Sequence, residues 1–398
     1  MRITPATELE HRCKRLQECM AQSGLDAVII LQNADLFYFT GTTQCGTLYV
    51  PVKGQPLYMV RRDAGRARME SGLRDVVPIS SLRDVPRMLA EYGHQVPAQV
   101  GLELDVLPVN LFNRYRDIFP TAEFSDATHC IRTVRMIKSQ YEIHILQDAA
   151  HQVDKVYRRA KDVIRTGMTD LDLAAELEYL ARREGHLGLI PMRAFNGSML
   201  FGHTFSGTDS AVPAYTDTPL GGLGISPAFG QGASYKPIGP HEPIIVDFAG
   251  SFDGYLVDQT RVFAIGSISA RLHKAYDDML KVQERMKQLA AQCPPWSAVY
   301  EECRVLAADL GYADSFMGIA GSQVAFIGHG TGVEIDEYPF FARGFDEMRL
   351  KPGMVFAFEP KVVFPGEGAV GIENTFYLAD DGTLKQLTFS SEDLVVIP

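Results

Sequence analysis

The feature that most restricts this chain is a set of carboxylates placed inside apolar, strand-like runs of its C-terminal half. Met354-Val355-Phe356-Ala357-Phe358-Glu359-Pro360 and Val370-Gly371-Ile372-Glu373-Asn374-Thr375-Phe376 each set one Glu among residues that belong in a core. A buried carboxylate without a partner costs several kcal/mol, so both call for a cation or an Arg, and a pair of structural salt bridges is the plain alternative. Upstream, Pro243-Ile244-Ile245-Val246-Asp247-Phe248-Ala249-Gly250 reads as a strand ending in an acid, and Asp258-Gln259-Thr260-Arg261-Val262-Phe263 as a second strand after Gly254. An Asp on each arm of one hairpin points two carboxylates into one space, where they repel unless a cation sits between them.

Ala325-Phe326-Ile327-Gly328-His329-Gly330-Thr331-Gly332 sets a His between glycines, where backbone can approach a ligand closely. Alone, His329 reads as structural. Together, Asp247, Asp258, His329, Glu359 and Glu373 make an oxygen-rich site for two divalent ions, suited to Mn, Co, Fe or Zn rather than to a thiolate-selective metal. Such a site clamps a carbonyl and generates hydroxide. The six cysteines (13, 19, 45, 130, 293 and 303) show no Cys-x-x-Cys pairing, which predicts free buried thiols and leaves any metal to carboxylate and imidazole.

A chain of 398 residues exceeds one ordinary core, which predicts two domains. With 46% hydrophobic and 22% charged residues it is neither disordered nor fibrous. Its net charge of −11 leaves no basic field for a phosphate backbone or anionic membrane, so nucleic acid is excluded as a partner. The first residues run at once into Glu8-Leu9-Glu10-His11-Arg12 with no apolar leader, and no run is long enough to span a membrane; a cytoplasmic address is the expectation.

Periodicity predicts a helix over 8–24 stopped by Gly24, strands at 26–31, 47–50, 56–60 and 100–103, and helices near 81–92 and 107–117. Residues 1–135 therefore read as one α/β domain. A capping box at Ser139-Gln140-Tyr141-Glu142 opens a long helix and the second domain, 136–398. Further helices are expected from Thr169 to Gly185 and over 270–292 and 297–310, and residues 202–240, rich in Gly, Pro, Ser and Thr, read as a long functional loop.

On these residues the sequence resembles the pita-bread metalloenzymes, the superfamily of methionine aminopeptidase, prolidase, aminopeptidase P and creatinase. The likeness runs over nearly the whole chain, including Leu36-Phe37-Tyr38-Phe39-Thr40-Gly41 and Arg135-Met136-Ile137-Lys138-Ser139. It implies an α/β (α+β) fold, with a creatinase-like N-terminal domain followed by a pita-bread catalytic domain of two αββ halves, and a homodimer. It implies that Asp258 and Glu373 bridge two metals, Mn or Co before Fe or Zn. Asp247 would bind one ion, His329 and Glu359 the other, and Glu359 would also shuttle the proton.

The chain departs from the family's pattern at three substrate-side positions. Asp336 stands where a second His follows the Gly-His-Gly motif, Gly371 where an Arg precedes the last ligand, and Ala214 where a loop His follows a Pro. His203 is the nearest replacement for that loop His, or else anchors the loop by a hydrogen bond. Asp336 is a partner behind the ligands, a base for a cationic substrate, or a carboxylate paired with Arg343. Tyr255 reads as support behind the metals and Arg261 as structural. The resemblance implies hydrolysis of short Xaa-Pro peptides; the departures open a second expectation, a non-peptidase of the same fold acting on a small cationic molecule, of the amide hydrolase or dimethylsulfoniopropionate lyase type. A third, a metal-free binding protein, is disfavoured by the intact ligand set.

Overall fold

The computed structural model describes residues 2–197 and 199–398. The chain divides into two compact units, the first running to Arg135 and taking in Arg193–Phe195, the second comprising Met136–Met192 and Asn196–Pro398.

The first unit is a six-stranded mixed sheet, β1 (Ala27–Ile30), β2 (Gly46–Pro51), β3 (Leu57–Val60), β4 (Val76–Pro78), β5 (Gln99–Leu102) and β6 (Glu123–Asp126), in the order β4-β3-β2-β1-β5-β6. Every residue of β1 is buried, as its unbroken run Ala27-Val28-Ile29-Ile30 requires of a central strand covered on both faces. The helix Ala6–Gln22 buries Leu9, Cys13, Leu16 and Met20, a stripe at helical spacing, and Gly24 follows at φ +71°. Arg193 joins this unit because its guanidinium pairs with the buried Asp35 and with Asp105, while Arg135 holds Asp35 from within the unit. The expectation of free thiols throughout is corrected here: Cys19 and Cys130 form a disulfide, with Cα atoms 5.6 Å apart. The partners are 111 residues apart in sequence. Only tertiary packing brings them together, which spacing cannot reveal.

In the second unit, Ser139 accepts a hydrogen bond from the Glu142 N–H and Glu142 accepts one from the Ser139 N–H, opening the helix Gln140–Val163. Thr169 and Asp172 repeat the arrangement for Asp170–Arg183. These two helices precede β7 (Gly202–Ser206), β8 (Ile244–Phe248), β9 (Gly250–Phe252), β10 (Tyr255–Val257) and β11 (Thr260–Ile265). A second pair, Ala270–Ala290 and Trp296–Asp309, precedes β12 (Phe326–Thr331), β13 (Ile335–Ala342), β14 (Val355–Phe358), β15 (Lys361–Phe364), β16 (Gly368–Gly371), β17 (Asn374–Leu378) and β18 (Leu384–Gln386), with β19 (Val395–Ile397) last. One sheet runs β19-β11-β8-β7 and the other β13-β12-β14-β17-β18, with β9-β10 and β15-β16 as separate hairpins. Reciprocal backbone bonds between Thr260 and Glu373 join the two sheets where the ligand candidates gather.

Two expectations about local structure are corrected. The stretch 202–240 is not one loop: its first residues form β7, antiparallel to β8 with His203 opposite Asp247. Thr204 and Phe205 favour the pleated strand that the surrounding turn formers obscured. The two aspartates also do not face each other across one simple hairpin. β8 pairs with β11 through Thr260 opposite Asp247, while β9 and β10 fold out as their own hairpin around Asp253 and Gly254.

Candidate metal centre

The side chains of the centre come from within strands or from the breaks between them. Asp247 lies within β8, and Asp258 occupies the gap between β10 and β11, its backbone N–H donating to Thr375 Oγ1 at 2.8 Å. His329 sits within β12, flanked by β13 and β14. Gly328 is required there because a Cβ would come within 2.6 Å of the Ala357 carbonyl oxygen on β14. Glu359 follows the end of β14 and Glu373 fills the gap between β16 and β17, so both acids interrupt apolar strands rather than lying within them. Thr260 Oγ1 donates to Glu373 Oε2 at 2.8 Å. Arg261 fixes the same strand from behind, donating to the carbonyls of Thr260, Glu373, Ser390 and Ser391 and to Asn374 Oδ1.

Asp258, His329 and Glu373 offer one donor atom each within 4.8 Å of one another, and all three are buried. Asp258 Oδ1 is buried with no hydrogen-bond partner, a cost a cation would relieve. His329 Nδ1 lies 3.2 Å from the Gly330 carbonyl oxygen; a proton there leaves the Nε2 lone pair facing the acids. This donor set fits a divalent ion.

A residue that sequence reasoning missed occupies the other side of the centre. Lys361, the first residue of β15, is 1% exposed and places Nζ 2.9 Å from Asp247 Oδ2, 2.7 Å from Glu359 Oε2 and 3.1 Å from Glu373 Oε2. Its signal in the sequence was a lysine directly after Glu359-Pro360 and ahead of the apolar Val362-Val363-Phe364. Asp247 and Glu359 are thus held together by an ammonium.

The electrostatics follow from burial and this ammonium. Burial pushes the Asp247 carboxyl up, but Lys361 and His203 outweigh it and leave it below the ordinary range. Asp258 is raised well above its ordinary value by burial and then by Glu373 and Asp247. Glu373 rises to about 7, chiefly through burial, against the pull of Lys361. Burial lowers His329, yet Asp336, Glu359 and Glu373 carry it above its ordinary value.

His203 is buried on β7, stacks near Phe205 with ring centroids 5.8 Å apart, and leaves Nε2 without a hydrogen-bond partner. That rules against a hydrogen bond from Nε2 as a loop anchor. Burial lowers its pKa. A cavity of about 120 Å³, lined among others by Phe229, Gln231 and Phe248, reaches His203. Asp336, at φ +64°, brings Oδ1 to 3.6 Å from His329 Nδ1, while Arg343 pairs with Glu301; the Asp336–Arg343 alternative is corrected accordingly. Tyr255 donates its hydroxyl to Glu142 Oε1 at 3.1 Å, tying β10 to the capped helix.

Residues 144–380 match the model of metallopeptidase family M24, and residues 12–137 that of the creatinase/prolidase N-terminal domain. The chain belongs to metallopeptidase family M24 and is a metallopeptidase-class enzyme of the pita-bread fold. It is similar to the Xaa-Pro dipeptidase of Pyrococcus furiosus, 27% identical over 97% of this chain and 100% of that one. It is also similar to the Xaa-Pro dipeptidase of Lactobacillus helveticus, 28% identical over 96% and 98%. The structure of an Xaa-Pro dipeptidase from Bacillus anthracis shares the fold with a TM-score of 0.80 at 24% identity, covering 98% of this chain and 99% of that one. Among the described residues, no helix is long and apolar enough to cross a membrane.

Proposed function

We propose that the chain is a metal-dependent hydrolase of short peptides with proline in the second position, its chemistry carried by residues 136–398. The observation that carries the reading is the convergence of Asp258, His329 and Glu373 within 4.8 Å in a chain of family M24. When bound there, a divalent ion supplies Lewis acidity, to polarise a carbonyl and to lower the pKa of water. Glu359 is the general base: Lys361 holds Oε2 while Oε1 lies 3.7 Å from His329 Nε2, on the side of the three ligands. Oε1 would take the proton of the attacking water and return it to the leaving nitrogen. Relatives named Xaa-Pro dipeptidase support the substrate class. The family resemblance extends the reading to manganese or cobalt and to a homodimer; a dinuclear centre, which it also implies, would need Lys361 to give way.

Xaa-Pro dipeptides and Xaa-Pro-Yaa tripeptides assayed with Mn²⁺ or Co²⁺ test the reading, with turnover expected well above that of Glu359→Gln. Equal rates in the two proteins would sink it. A second reading, a non-peptide amide or cationic small molecule, is favoured by one observation: the carboxylate of Asp336, 40% exposed, faces His329 where the family carries a second His. Asp336→His should raise peptide turnover if that carboxylate selects against peptides, and unchanged kinetics would remove this reading.

A further inference from the structure

The centre contains its own cation. Lys361 Nζ contacts three carboxylates at once, from Asp247, Glu359 and Glu373, within hydrogen-bond distance of each. These are ligand candidates that a second divalent ion would have to share, while Asp258 and His329, outside this triad, gather with Glu373 within 4.8 Å of one another. Glu359 and Glu373 each turn Oε2 to the ammonium and Oε1 toward His329 Nε2, at 3.7 and 3.8 Å. We propose that Lys361 permanently occupies one of the two cation positions of this centre, so that the protein takes up a single divalent ion per chain. The inference rests on reading Asp258, His329 and Glu373 as metal ligands.

Charge and shape agree with that assignment. Against the carboxylates of Asp247, Asp258, Glu359 and Glu373, the ammonium and one divalent ion leave a single negative charge in the centre, whereas the ammonium and two divalent ions leave an excess of positive charge packed within contact distance. Shape is decided on the neighbouring strand. Lys361 pairs with Gly371 across β15 and β16, and a Cβ at Gly371 would lie 2.6 Å from Lys361 Cγ, as well as 2.6 Å from the Pro360 carbonyl oxygen. With Lys361 Cα at 2.7 Å as well, the strand pair leaves no space for a side chain at position 371, and the lysine stem runs past the bare glycine. The bare glycine opposite the lysine is the room through which its stem passes into the centre.

The test is metal stoichiometry, read without reference to turnover. Wild type and Lys361→Gly are equilibrated with excess Mn²⁺, freed of unbound ion, and analysed by plasma mass spectrometry and by electron paramagnetic resonance. About one ion per chain is expected in wild type, with the hyperfine pattern of an isolated Mn²⁺, and about two in Lys361→Gly, with the signature of a coupled pair. Wild type carrying about two ions per chain with Lys361 intact overturns the inference, and this arm stands even where the variant does not fold. A folded Lys361→Gly that binds no more Mn²⁺ than wild type overturns it as well. Absence of ion from both proteins overturns the inference together with the metal-ligand reading. Peptide turnover separates the two proposals: wild type with one ion and no Xaa-Pro hydrolysis removes the substrate assignment alone, and wild type with two ions and full hydrolysis removes the Lys361 assignment alone.

Discussion

Asp258 brings a buried oxygen that has no hydrogen-bond partner to the same point as the His329 imidazole and a Glu373 oxygen. Asp258→Asn keeps the volume and removes the charge. Losses behind a ligand cost about 10–100-fold in metal affinity, so this change at a ligand should exceed about 100-fold, measured by Mn²⁺ titration. Wild-type affinity in the variant would show that Asp258 is not a ligand. Glu373 gives a pH test on chelated protein. Burial and neighbouring acids lift its folded value to about 7 from an ordinary 4.5, so the stability it contributes is complete below about 4.5 and is lost as pH rises through about 7. The melting temperature of chelated wild type, relative to chelated Glu373→Gln, should fall across that window; a flat or rising difference would contradict the assignment. Residue identities at the centre were legible because acids inside apolar runs stand out on chemical grounds. Lys361 was not, because a lysine at a strand's first residue ordinarily carries its charge out to solvent, whereas here it meets three acids from β8 and from the breaks after β14 and β16.

At the scale of elements, the segments that could be read were those whose signals are local. Ser139 with Glu142 and Thr169 with Asp172 form their capping boxes from residues three apart, and the helices they open begin at Gln140 and Asp170. Ser139→Ala should cost about 1 kcal/mol in chemical denaturation. Two features that depend on partners far along the chain escaped the sequence reading. β7 is defined by its pairing with β8, and the gap holding Asp258 by the separate β9-β10 hairpin, neither of which a window of neighbouring residues can display. Arg261 shows how much rests on such long-range contacts: it is buried and bonds carbonyls on three separate segments. Arg261→Leu leaves those acceptors unpaired and should cost at least about 3 kcal/mol by urea unfolding. Arg261→Lys should recover little, because an ammonium cannot reproduce the planar fork. Full recovery by Lys would show that charge alone matters there.

For the molecule as a whole, the first unit carries the cross-link and the second the candidate metal centre. The Cys19–Cys130 disulfide encloses 111 residues of sequence separation, and opening such a loop typically costs about 2–4 kcal/mol. Reduction should therefore lower the unfolding temperature of the first unit while bound Mn²⁺ per chain, counted on the same sample, stays constant. A parallel loss of metal would show that the two are linked. Lys361 bears on how the protein comes to exist in a cell. Acids crowded without a counter-charge would oppose closure of the strands until an ion arrived, making assembly hostage to metal supply. Here a positive charge is written into the polypeptide and is present as soon as β15 is synthesised. The chain can close this centre before any divalent ion binds and take up its ion afterwards, so metal scarcity should leave a folded, ion-free reserve rather than an unfolded chain for proteases.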